Sequence, residues 1–163
     1  MKYGTNQKNK VKMKRDYSTG VILYRKEHGI NKYLILKHRQ GHWAFSKGHG
    51  KTNEQREATA LRELFEETGI KNVNLISNTP LIEENYIFKN RKGEEIIKKV
   101  EYFIGKTEES NIKTDSKEIS DYKWAAFSDA IATVTYKESK STLIKANEII
   151  SEYNKNASIN NYL

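Results

Sequence analysis

Three glutamates, Glu63, Glu66 and Glu67, stand within a five-residue span directly after Arg62. On a helix advancing about 100° per residue with Glu63 at zero, Glu66 falls near −60° and Glu67 near +40°. Leu61, Leu64 and Phe65 lie toward the far side, so this helix would carry a compact acidic stripe and an apolar one. Carboxylates roughly 4 Å apart repel by on the order of 1 kcal/mol per pair in water, and by more in a cleft. Something must offset that cost. Solvent, with Arg62 as local compensation, is one solution. A bound cation is the other. Oxygen-only ligands suit Mg2+ or Mn2+, which neutralise charge on a group under attack and lower the pKa of bound water.

The elements around this stripe must position it. The helix is expected to begin near Asn53 to Gln55, with Thr52 and Asn53 as candidate caps and Glu54 and Glu57 at the positive end of its dipole. Gly69 is a natural stop, where a left-handed residue ends a helix. Ala58, Leu61, Leu64 and Phe65 share a face that should pack on a sheet. Upstream, Gly20 to Tyr24 and Tyr33 to Leu36 flank Glu27-His28-Gly29-Ile30-Asn31 and read as a β-hairpin. Trp43 to Phe45 is a short third strand. Downstream, Val73 to Ile76, Tyr86 to Phe88, Ile96-Ile97, Val100 to Ile104 and Tyr122 to Phe127 are strand candidates, and Asn90 to Gly93 is a turn. Thr107 to Lys117 reads as a loop. A last helix is expected over Lys140 to Tyr153, with Leu143, Ala146 and Ile150 in register.

Bulk composition narrows the setting. A chain of 163 residues predicts one domain with one core. The absence of cysteine excludes disulfides, thiolate metal sites and cysteine nucleophiles, and fits a cytoplasmic protein. No apolar run is long enough to span a bilayer, so no membrane partner is expected. The net charge of +8 fits either an anionic partner or a lysine-rich surface of no special purpose. Residues 1–15 form a basic segment expected to fray, with a nucleic-acid arm as the alternative; 16–152 form the domain; 153–163 are a polar tail.

Gly48, five residues, Glu54, seven residues, then Arg62-Glu63-Leu64-Phe65-Glu66-Glu67-Thr68-Gly69-Ile70 match every fixed position of the Nudix box, G-x5-E-x7-R-E-U-x-E-E-x-G-U with U aliphatic. On this motif the chain resembles the Nudix hydrolase superfamily. A solvated acidic face does not call for Gly48, Glu54 and Arg62 at these spacings, so the metal reading is carried forward. The resemblance implies a hydrolase that cleaves a diphosphate linkage in a nucleoside-diphosphate compound, by water attack on phosphorus with Mg2+, or Mn2+ in its place. It implies Glu63, Glu66 and Glu67 as metal ligands, a backbone carbonyl near Gly48, and Glu54–Arg62 as a supporting ion pair. It also implies an α/β/α sandwich with a mixed sheet, where the residues alone support mixed α/β.

The flanks are similar to a narrower family. His42-Trp43-Ala44-Phe45-Ser46-Lys47-Gly48-His49 resembles the H-W-x-F-P-K-G-H run of asymmetric diadenosine tetraphosphate hydrolases. Lys99 to Phe103, Glu118 to Trp124, and Phe127-Ser128-Asp129-Ala130 before a helix resemble further segments of that family, so the similarity spans residues 16 to 152. It implies that Lys47 contacts a phosphate, and that His49 binds phosphate or holds the loop. His42 joins the substrate-binding group, with Trp43 as a packing residue beside the site. Tyr102 would stack on adenine or serve as a core tyrosine. Glu118 would be a metal ligand or general base, against the ordinary fate of a loop glutamate. Lys37, His38 and Arg39 form a basic patch facing polyphosphate, or a plain strand end. Ser46 stands where the family has proline, which predicts a looser loop and puts the pose of Lys47 in question.

The implied substrate is a dinucleoside polyphosphate such as diadenosine tetraphosphate, cut to ATP and AMP. The alternatives are an RNA 5′-pyrophosphohydrolase, a nucleotide-pool triphosphate pyrophosphatase, and a catalytically silent nucleotide sensor on the same fold. Oligomeric state is not legible.

Overall fold

Apolar runs too continuous for a one-sided sheet build the centre of this fold. The computed structural model describes residues 13–115 and 117–162. Strands β1 (Lys14–Glu27) and β2 (Ile30–His38) form a hairpin closed by His28 and Gly29, with φ of 49° and 79°. Positive φ at both turn residues lets the backbone follow the strand twist. β3 (Trp43–Ala44) and β4 (Ser46–Gly48) lead into α1 (Arg56–Thr68). β5 (Asn74–Leu75), β6 (Ile82–Lys89), β7 (Glu95–Lys106) and β8 (Ile119–Ala126) complete an eight-stranded mixed sheet, followed by α2 (Phe127–Thr133) and α3 (Lys137–Asn160). β1 pairs with β7 in parallel and with β2 and β4 antiparallel; β6 pairs with β7, and β8 with β2.

The two-residue period of the strands sorts their side chains into two cores. Val21, Leu23, Leu34, Leu36 and Phe103 pack on Ala60 and Leu64 of α1. Ile22, Tyr24, Tyr33, Ile35, Tyr102 and Ile104 pack on Ala130 of α2 and Leu143, Ala146 and Ile150 of α3. Helices thus cover both faces, and the fold is the α/β/α sandwich with a mixed sheet.

The structure departs from the sequence expectations in several places. Lys14 and Arg15 belong to β1 rather than to a frayed segment, because they pair with Ile96 and Ile97; Lys8, Lys10 and Lys12 lie outside the described residues. α1 starts at Arg56 with Gln55 as N-cap and no side-chain cap, while Asn53 is a turn residue at φ 63°. The buried arc of α1 is Ala60, Leu64, Glu67 and Thr68, whereas Ala58 and Phe65 are exposed. The acidic stripe therefore does not oppose the core face: Glu67 lies on it. α3 runs to Asn160 rather than ending in a polar tail, since neither glycine nor proline interrupts it, although its last turns are almost wholly exposed. Ser46 does not lie in an open loop. It is buried in β4 and paired with Val21, so ladder bonds fix the backbone that a proline ring would otherwise hold.

Gly20 shows how tightly β4 seats on β1. A Cβ there would stand 2.1 Å from the Ser46 carbonyl oxygen and 2.9 Å from the Tyr102 ring. Backbone cannot step aside as a flexible side chain can. Gly20→Ala is expected to lower stability by about 2 kcal/mol, as overpacking does, with the denaturant midpoint falling at constant slope. An unchanged midpoint would show that β4 can shift freely.

Candidate active site

Gly48 ends β4 and faces α1. A Cβ on it would lie 2.0 Å from the Glu63 carboxyl carbon, so the missing side chain is what lets Glu63 rest against the strand. Next to it Arg62 spends its guanidinium on four partners. It donates to both Glu54 oxygens at 2.8 and 2.9 Å, to Glu63 at 3.0 Å, to Glu66 at 3.1 Å and to the His49 carbonyl at 2.8 Å. The planar fork suits this multidentate grip, which a lysine could not reproduce. Glu54 also accepts from Thr59 Oγ1 at 2.7 Å and the Lys51 amide at 3.1 Å. The hydrogen bonds from Arg62, then Thr59, hold its carboxyl down to about 2. Arg62 and Glu54 thereby tie the loop after β4 to the helix.

Glu67 is in the opposite situation. It is 1% exposed, and neither carboxylate oxygen has a full hydrogen-bond partner. Burial pushes it up to about 8; the nearby Ser46 hydroxyl and Lys47 counteract only in part, while Glu63 and Glu118 add to the rise. Glu63 is likewise raised, by burial first, with Arg62 opposing and Glu66 and Glu118 reinforcing. Glu118 is exposed before β8, yet its charge reaches both.

A buried carboxylate lacking donors calls for a cation or a proton. The donors here are hard oxygens: Glu63, Glu66, Glu67 and the Gly48 carbonyl, which fit a divalent ion of the magnesium type. Among the described residues no three His, Cys, Asp or Glu side chains stand in an arrangement ready to hold an ion. Glu63 and Glu66 are instead turned onto Arg62.

Beside this cluster opens a cleft of about 450 Å³ on the α3 side of the sheet. Lys47, His42 and His49 line it, so three of the residues singled out in the sequence meet there. Lys47 lines the cleft from β4, the strand that packs on α1. His49 Nε2 is 2.7 Å from Asp16 Oδ1, and Lys98 Nζ donates to Asp16 Oδ2 at 2.8 Å and to Ser18 at 2.5 Å. Burial lowers Lys98, and Asp16 restores part of that. His42 is stacked on His38 at 4.6 Å and 3°, with Tyr136 on it at 5.4 Å.

Where the sequence left two readings open, the structure favours the plainer one. Tyr102 is wholly buried, edge-on to Phe45 at 5.7 Å, and a ring with no exposed face cannot stack on a base. Trp43 packs against the α3-side core, with Lys37 Nζ over its ring at 5.9 Å, and does not line the cleft. His38 is no part of a basic patch: burial holds it down to about 3, so it is neutral. Sequence reasoning missed Asp16, Glu84, Tyr86, Phe88, Lys98 and Tyr136, all in the cleft wall. The available signal was phase. Lys98 falls in step with buried Ile96, Val100 and Tyr102, and Glu84 falls in step with Ile82.

A sandwich whose glycine loop and arginine-braced glutamate helix open beside a cleft holding Lys47 and Lys98 has the parts that a hydrolase of phosphoric anhydride bonds needs. Residues 14–146 match the NUDIX domain family, and the chain belongs to that family, whose hydrolases generally use divalent metal ions. It is 29% identical over 138 residues to a bis(5′-nucleosyl)-tetraphosphatase [asymmetrical] of Caenorhabditis elegans, covering 83% of this chain and 97% of the relative. It is 30% identical over 127 residues to an RNA pyrophosphohydrolase of Pelagibacter ubique (strain HTCC1062), covering 71% and 79%. The crystal structure of a C. elegans Ap4A hydrolase binary complex superposes with a TM-score of 0.70 at 26% identity, covering 83% of this chain and 98% of that one.

Proposed function

We propose that the chain cleaves dinucleoside polyphosphates asymmetrically, diadenosine tetraphosphate to ATP and AMP, by water attack on a phosphorus away from the centre of the bridge. The observation that carries this reading is Lys47 on β4, the strand packed on the glutamate helix, lining a cleft that contains both cations and aromatic rings. Such a cleft suits a polyphosphate with a base attached. Glu63, Glu66, Glu67 and the Gly48 carbonyl would hold Mg2+, or Mn2+ in its place, which when bound supplies charge neutralisation and a lowered pKa for water.

The chain's own groups do the rest. Lys47 and Lys98 draw phosphate oxygens into the cleft. Asp16 orients the His49 ring toward them. Tyr86 and Tyr136, in place of Tyr102, offer surfaces for a base. Glu118 is exposed and forms no ion pair among the described residues, whereas Glu63 and Glu66 are engaged by Arg62. That leaves Glu118 as the carboxylate best able to take a proton from the attacking water.

The test is product analysis with diadenosine tetraphosphate and Mg2+. ATP and AMP in equal amounts are expected; two ADP molecules would sink the proposal. The similarity to an RNA pyrophosphohydrolase favours a second reading, pyrophosphate release from 5′-triphosphorylated RNA. Running that RNA in parallel ranks the two by kcat/KM.

A further inference from the structure

Glu84 stands out in a cleft that also holds Lys47 and Lys98. It is 6% exposed, lies on β6, and lines the cleft beside Tyr86, Phe88 and Tyr136. One oxygen bonds Thr142 of α3 at 2.8 Å, and among the described residues it forms no salt bridge. Asp16, another acid of the cleft, is instead ion-paired with Lys98 and hydrogen-bonded to His49. The walls therefore differ. Those from β1, β4 and β7 present Lys47, His49 and Lys98 for phosphate. The wall from β6 and the start of α3 presents aromatic rings and two carboxyls, Glu84 and, more exposed, Glu138, neither in a salt bridge among the described residues.

Phosphate is repelled by such a carboxyl, and apolar surface leaves it unsatisfied. It needs a ligand that donates hydrogen bonds next to a flat ring. We infer that Glu84 reads the exocyclic amino group of the nucleobase, making this wall a specificity subsite for amino-bearing bases over their keto counterparts. Thr142 fixes the carboxyl so that its second oxygen is free for the ligand. Burial also raises the pKa of Glu84. The oxygen not held by Thr142 accepts a hydrogen bond from the exocyclic amine of adenine. Hypoxanthine presents a carbonyl where adenine has the amine, so an acceptor would face an acceptor. The inference rests on the proposal that the cleft takes a nucleotide.

The experiment is calorimetric binding of AMP, IMP and 2′-deoxy-AMP to the wild-type protein, Glu84→Gln and Glu84→Leu. It needs no turnover, so a failure of the hydrolysis assay would leave it standing. Wild type is expected to bind AMP about tenfold or more tightly than IMP, the scale of a buried hydrogen bond left unmade. Glu84→Gln, whose amide can turn either its carbonyl or its NH2 group to the base, should narrow the preference. Glu84→Leu should reduce it to less than about threefold. Equal binding of AMP and IMP by wild type overturns the inference without recourse to any variant. So does a Glu84→Leu protein that keeps the AMP preference. If Glu84→Leu instead loses only discrimination against 2′-deoxy-AMP, the carboxyl reads ribose and the inference also falls.

Discussion

Glu67→Gln should yield a folded protein whose turnover is down by at least ~100-fold, as expected when a charge stabilising the reacting centre is lost. The same change should make the protein more tolerant of alkaline pH. Both Glu67 oxygens are buried without a donor, and the carboxyl is pushed up to about 8. An unfolded glutamate titrates near ~4.3. Between those values the folded state holds the proton more tightly, so stability is fully present at the acid end and falls as pH rises toward 8. The loss is on the order of a few kcal/mol over that window. An amide of the same shape carries no such charge. Denaturant midpoints at pH 5 and pH 8 should therefore converge in Glu67→Gln and differ in wild type. Near-normal turnover at saturating Mg2+ would refute the role of Glu67 as a ligand, and a wild-type midpoint flat with pH would refute its raised titration.

Gly48→Ala should separate activity from folding in the reverse sense to Gly20→Ala. The Cβ at Gly48 would strike the Glu63 carboxyl at 2.0 Å, the far end of a flexible side chain. The clash resolves by turning Glu63 away rather than by moving strands, and Gly48 has no positive φ to strain. The expected result is a melting temperature close to wild type with kcat reduced on the order of 100-fold, the scale of an ångström-sized displacement at a reacting centre. At Gly20 the obstruction is the Ser46 carbonyl, so stability falls instead. Full activity in Gly48→Ala would mean that the position of Glu63 against β4 is immaterial.

The helix and its glutamates were legible because a motif of fixed spacing and a 3.6-residue period lie within one short stretch. The rotation of that helix was not. Leu61 and Phe65 are as apolar as Leu64, but the sheet surface accepts Ala60, Leu64 and Glu67, and periodicity cannot weigh a buried carboxylate against an exposed phenylalanine. Capping failed for a related reason: the loop before α1 is organised by Glu54 and Arg62, not by Thr52 or Asn53. Tyr102 followed the strand's alternation into the core, which its neighbours Val100 and Ile104 already indicated. The cleft was legible only on its β4 side. Asp16, Glu84 and Lys98 come from three separate strands and Tyr136 from the N-cap of α3, and no local pattern foretells their meeting.

The parallel pairing of β1 with β7 also governs how the site comes into being. Each β1 residue from Lys14 to Tyr24 meets a partner about 80 residues further along the chain. Closing so long a loop costs entropy before any contact rewards it. β1 carries Asp16 and supports Gly48 through the Thr19 pairing, while β7 carries Lys98. The glutamate helix can coil early from local interactions, but its seat on β4 and the cationic wall of the cleft both wait for the same long-range closure. Catalytic competence and the central sheet should therefore emerge together, in one late step of folding.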